Sequence, residues 1–189
     1  MRRHLIALLI AGLAGPTGPA APRLKDRETD IGFYPTTSGA TWVMVDNGQA
    51  EHTFTVTSVE AVEGGILADV AEVHARQPDP CQQMLISKKG VFRLSVGGNK
   101  FTTPECLLKL PHSIGQTWEF ETAPGAGSSK LTAIRREEIE VPAGKFDVVR
   151  VEREGSGPAT YWFVERIGLV KVTYPGGERV LKSFTLEPK

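Results

Sequence analysis

One pattern, Pro-x-x-x-Gly-x-Thr-Trp, occurs twice in this chain. It runs from Pro35 through Gly39 and Thr41 to Trp42, and again from Pro111 through Gly115 and Thr117 to Trp118, with the same internal spacing. A repeated unit constrains architecture before any other feature does, because each copy must bury its apolar face against the other. Two more matches follow in the same order. Residues 62–70 face 141–149, where Val141-Pro142-Ala143-Gly144 has no proline in the first copy. Residues 84–96 face 162–174 with apolar opposite apolar and basic opposite basic at nearly every step, and Gly90 opposite Gly168. Any two β-hairpins share alternation, but not the Pro-Gly-Thr-Trp spacing. The expected organisation is one domain over 32–189, made of two repeats at about 32–107 and 108–187.

Within each repeat the hydrophobic period is two. Phe54 and Val56 oppose Thr53, Thr55 and Thr57; Phe92, Leu94 and Val96 oppose Arg93 and Ser95; Val170, Val172 and Tyr174 oppose Lys171 and Thr173. Such alternation belongs to strands with one buried face. Asn47-Gly48, Gly64-Gly65, Gly97-Gly98, Pro142-Ala143-Gly144 and Pro175-Gly176-Gly177 supply turns between them. The fold class expected is mainly β: an antiparallel curved sheet, barrel or sandwich of two tandem, pseudo-symmetric units with little helix. Arg135–Glu140 and Pro104–Leu110 are the best helical candidates, and both are short. Gln77–Cys81 reads as a proline-rich loop, and 123–129 as a glycine- and serine-rich hairpin loop. Trp42, Trp118 and Trp162 are expected to anchor the core.

The first twenty residues have the layout of a secretory signal peptide. Arg2 and Arg3 precede an apolar run from Leu5 to Leu13, and Gly18 and Ala20 suit a cleavage after Ala20. The run is too short to cross a bilayer, and no cysteine follows it as a lipid acceptor. Residues 21–31 read as a flexible lead. Export with two cysteines in the mature chain raises a Cys81–Cys106 disulfide, against the alternative of two buried free thiols.

The 22 basic and 22 acidic residues balance, and no basic stretch interleaved with aromatics tracks a phosphate backbone, so nucleic-acid binding is not expected. His52, Glu72 and His74 could share a face, but no HExxH or CxxC spacing supports a metal. His112 lies in the second turn motif, where the first has Thr36. Glu137-Glu138 and Glu152 with Glu154 are acidic pairs of the kind a solvated strand face carries, and no nucleophile elbow or phosphate loop is present. No catalytic, cofactor-binding or metal-binding residue is expected. The expected landmarks are structural: Pro35, Gly39, Trp42, Pro111, Gly115, Trp118, Pro142, Gly144, Trp162 and Gly168.

These segments, with Phe33-Tyr34-Pro35 and Val141-Pro142-Ala143-Gly144-Lys145-Phe146, resemble a broad set of exported bacterial proteins with repeated YFP-x-x-x-G-x-x-W and VPAG-x-F segments. The resemblance spans about 33–186 and implies fold rather than activity. A looser similarity to LolA-like half-barrel envelope proteins implies an apolar cargo. Together these readings imply an exported, non-enzymatic β module that binds an apolar ligand or lipid in the cell envelope. The alternatives are a protein-interaction or structural module of the envelope, and a hydrolase with an unrecognised site. A deep apolar cavity separates the first from a filled core.

Overall fold

Alternating apolar residues form strands here, and each strand finds its neighbour across a short turn. The computed structural model describes residues 32–74, 77–121, 125 and 127–186; the expected signal peptide, the expected lead at 21–31 and part of the expected 123–129 loop lie outside them. The first six strands are β1 (Thr41–Asp46), β2 (Ala50–Val62), β3 (Gly65–His74), β4 (Gln77–Ser87), β5 (Gly90–Val96) and β6 (Asn99–Lys109). The next six are β7 (Thr117–Phe120), β8 (Ser129–Val141), β9 (Gly144–Gly155), β10 (Ala159–Val164), β11 (Gly168–Tyr174) and β12 (Gly177–Thr185). Among the described residues there is no helix.

All twelve strands lie in one antiparallel sheet, ordered β6-β5-β4-β3-β2-β1-β12-β11-β10-β9-β8-β7. Each run of six is an up-and-down meander. They are joined where β1 pairs with β12, from Thr41 opposite Thr185 to Asp46 opposite Arg179. The far ends, β6 and β7, face each other without a backbone ladder, so the sheet curls into a nearly closed barrel. Only a fully hydrogen-bonded closure abolishes sheet edges; here β6 and β7 are neighbours but keep unpaired edges. Trp118 spans the remaining seam, its Nε1 donating to the Cys106 carbonyl at 2.8 Å.

The repeated motif has the same backbone role in both halves. Gly39 N–H donates to the Val56 carbonyl at 2.8 Å, and Gly115 N–H to the Ala133 carbonyl at 2.7 Å. Ala40 and Gln116 each donate three residues back, to Thr37 and Ser113. Gly39 and Gly115 have φ of 86° and 85°, a conformation that side chains disfavour. The glycine turns the chain, and Thr-Trp then opens β1 or β7.

The two short helical candidates are strands: Pro104–Leu110 falls largely in β6 and Arg135–Glu140 in β8. Ladders with β5 and β9 override the short local pattern. Gln77–Cys81, expected as a loop, begins β4. Its prolines are tolerated because residues 77–80 pair only with β3; the β5 ladder starts at Gln82.

Candidate functional site

The strands divide the barrel into two ends. Hairpin turns at 47–49, 97–98, 156–158 and 175–176 surround one end, which is the mouth. The other end is floored by the segment before β1. Phe33 and Tyr34 are buried there, and the Gly32 carbonyl accepts from Arg166 N–H at 3.0 Å. Gly168 allows this crossing: a Cβ on it would stand 3.4 Å from Phe33 O, Tyr34 Cδ2 and Pro35 Cδ. Val141-Pro142-Ala143-Gly144 is the tip of the β8–β9 hairpin. Ala143 N–H donates to the Leu181 carbonyl at 3.1 Å, and Phe146 packs 6.2 Å from Phe184. These landmark residues thus sit where turns and segments meet at the floor.

Between floor and mouth lies a cavity of about 630 Å³. Its walls come from both meanders: Trp42, Met44, Phe54 and Met84 on one side, Tyr161, Phe163 and Leu169 on the other. That volume and lining suit a small organic ligand, since such sites are mostly apolar concavities of about 300–1,000 Å³. Val96 and Tyr174, which end β5 and β11, line the mouth. They are 40% and 38% exposed, which for large hydrophobic side chains is unusual in this barrel.

The charges on the wall are committed to one another. Glu105 is fully buried and accepts from Arg93 Nε at 2.7 Å and from Arg153 Nη1 at 2.8 Å. Because Glu105 stands on β6 and Arg153 on β9, this triad ties the two meanders across the open seam. Arg153 also donates to the Ser156 carbonyl at 2.6 Å and stacks over Phe120. Near the mouth, Arg179 makes a two-pronged pair with Asp46, which holds the Asp46 carboxyl below its ordinary pKa. His52 Nδ1 meets Glu72 at 2.6 Å, and His74 lies 3.7 Å from Glu72. The three residues considered for a metal are therefore neighbours, but no group of three or more such side chains among the described residues has a metal-binding arrangement.

Tyr34 differs from these groups. Its ring is 7% exposed and stands edge-on to Trp42 at 5.9 Å. The residue lines the cavity, but its hydroxyl is itself buried away from it and has no hydrogen-bond partner among the described residues. Burial pushes the phenol pKa upward, so the group stays a neutral O–H.

Other sequence expectations need correction. Cys81 and Cys106 are free thiols. The strand β5 separates them, and Cys106 is level with Phe92 while Cys81 bonds to Gly97 N–H. That register sets them about 13 Å apart along the strand, beyond the reach of a disulfide. Burial pushes both thiols up to about 11. Trp162 is on the outer face, not in the core: Arg150 and Lys171 cover its ring and its Nε1 donates to Glu137 at 2.9 Å. Arg93, expected outward, points inward to Glu105, because a bulge between Arg93 and Ser95 resets the β5 alternation. Glu152 pairs with Arg150, and His112 Nε2 meets Arg136 at 2.8 Å beside Phe33. Tyr34 and Glu105, the two most telling polar groups in the interior, were missed. Tyr34 follows Gly32-Phe33, and Glu105 sits between Thr102-Thr103-Pro104 and Cys106-Leu107-Leu108, so neither stretch marks a buried polar group.

No protein-family profile matches this chain, and no curated protein sequence matches it significantly. Among solved structures, it is similar to a protein described as a lipoprotein from Parabacteroides distasonis ATCC 8503. The TM-score is 0.51 at 17% identity, over 84% of this chain and 100% of that one. A second similar structure is an exported protein with a YmcC-like fold from Bacteroides fragilis NCTC 9343, with TM-score 0.48 at 15% identity, over 81% and 98% of the two chains. At this identity the first likeness shows a shared fold. No helix among the described residues is long and apolar enough to cross a membrane.

Proposed function

We propose that this chain is an exported barrel that holds an apolar small molecule or lipid in its interior and releases it through the turn-lined mouth. The observation that carries the reading is the cavity of about 630 Å³ walled by side chains from both meanders. A barrel that served only as a scaffold would fill that space with side chains. The exposed Val96 and Tyr174 at the mouth fit the same role, offering an apolar step between the interior and a lipid surface. Export is supported by the leader-like N-terminus and by the description of the Parabacteroides relative as a lipoprotein.

The test is native mass spectrometry of the protein purified from an envelope fraction, followed by organic extraction. A stoichiometric apolar species in the extract is expected. A ligand-free mass, together with no saturable uptake of an apolar fluorophore, would contradict the reading.

A second reading rests on the seam. β6 has eleven residues and β7 only four, so much of the β6 edge has no partner strand among the described residues, and an extended peptide could add to it. Crosslinking from Thr102→Cys would label a bound peptide there; labelling no stronger than at an exposed turn such as Gly64→Cys would set this reading aside.

A further inference from the structure

The seam triad holds more positive charge than it neutralises, and this narrows the ligand, on the premise that the cavity is a binding site. Two guanidinium groups, Arg93 and Arg153, share the one carboxylate of Glu105. Their donors are not equally spent. Arg153 gives Nε to Ser129, Nη1 to Glu105 and Nη2 to the Ser156 carbonyl. Arg93 turns Nε and Nη2 onto a single oxygen of Glu105. Its Nη1 has no hydrogen-bond partner among the described residues and keeps accessible surface. Arg93 lines the cavity, and its side chain is 27% exposed. Gln82 stands close by. It and Met84 both line the cavity from β4, and Met84 is level with Arg93 in the β4–β5 ladder. The Gln82 amide also has no hydrogen-bond partner among the described residues.

The opposite wall offers no such excess. Arg179 is paired with Asp46, and His52 lies between Asp46 and Glu72. A guanidinium with an unspent N–H, beside an amide donor at an apolar cavity, is suited to a carboxylate, and charge-assisted hydrogen bonds of this kind are the strong ones. A neutral lipid would leave the excess charge uncompensated, and a cationic one would add to it. We propose that the cavity takes a single-chain amphiphile with a carboxylate head. The carboxylate accepts from Arg93 Nη1 and from the Gln82 amide, and the chain lies along Met44, Phe163 and Leu169. A long-chain amine is the class this arrangement discriminates against.

The experiment uses the full chain, delipidated and refolded to a wild-type circular dichroism spectrum. Three probes of matched chain length are titrated by calorimetry below their micelle concentrations: dodecanoate, the corresponding methyl ketone and dodecylamine. Dodecanoate is expected to bind about tenfold more tightly than the ketone, the worth of one charge-assisted hydrogen bond, and the amine more weakly than either. Arg93→Gln leaves Glu105 and Arg153 as a neutral pair and is expected to bring the carboxylate and ketone affinities together. Arg93→Lys restores the charge and is expected to recover part of the preference. Dodecanoate binding no tighter than the ketone in the wild type would overturn the inference while leaving an apolar site in place, and so would a folded Arg93→Gln protein that keeps the full preference. Saturable binding of neither dodecanoate nor ketone would overturn the underlying reading. The preference is read on the wild-type protein, so the test stands even if Arg93→Gln fails to fold.

Discussion

Glu105→Ala would remove a fully buried carboxylate and leave two guanidinium groups facing its space. Arg93 and Arg153 are 27% and 15% exposed at their side chains, so neither can reach water freely. Breaking a buried pair from one side costs about 3–5 kcal/mol, mostly because the remaining charge is stranded. For a domain of about 150 residues each kcal/mol shifts Tm by about 2–4 °C, so a fall of about 6–20 °C is expected. The same logic gives a different result when all three partners become apolar. Arg93→Met, Glu105→Leu and Arg153→Met together remove every charge. Such replacements are often neutral or stabilising, but Arg153 also bonds Ser129 and the Ser156 carbonyl, so a stability within about 1 kcal/mol of wild type is expected. Thermal and urea unfolding followed by near-ultraviolet circular dichroism measures both. A loss below about 1 kcal/mol in Glu105→Ala, or a triple variant as weak as the single one, would refute the view that this triad fastens the seam.

Three further outcomes are expected. His112 has a pKa below its ordinary 6.5, through burial and then the neighbouring Arg136; its contribution to stability is complete above the ordinary value and lost as pH falls through the depressed one, so His112→Phe should flatten the decline in Tm between about pH 7 and 5. The thiols of Cys81 and Cys106, pushed up to about 11, should alkylate slowly at neutral pH relative to the urea-unfolded chain, and the intact mass of unreduced protein should not change on reduction. Gly168→Ala, at φ +92° against the floor segment, should cost about 1–3 kcal/mol in urea unfolding, whereas Gly64→Ala, whose added Cβ would meet nothing within 4 Å, should cost less.

Local alternation made the strands readable. Phe54 and Val56 face inward as their spacing requires, and Val172 and Tyr174 line the cavity. The turns were readable for the same local reason, since glycine holds most of the positive-φ positions, with Asn47 and Arg166 as exceptions. Reading failed where a neighbouring strand decides the outcome. Arg93 points inward because a bulge resets the β5 alternation, and Glu105, twelve residues on and across a ladder, receives it there. Pro78 and Pro80 enter a strand because β5 stops short of them. Trp162 resembles a core residue in isolation, but two cations on adjacent strands hold it outside. Whether the sheet becomes a barrel or a sandwich depends on the β1–β12 pairing, between residues more than 130 apart in sequence. The cavity depends on the sum of all inward volumes, and no segment of the sequence carries that sum.

Trp42 lies on the cavity wall, Trp118 on the seam and Trp162 outside, which gives a direct probe of the interior. Titration with a brominated long-chain methyl ketone, a quencher that acts at contact, should produce a saturable loss of tryptophan emission that Trp42→Phe largely abolishes and that a cavity-filling Ala159→Trp weakens. Quenching that rises without saturation and persists in Trp42→Phe would place the ketone on the surface and contradict an apolar site inside the barrel.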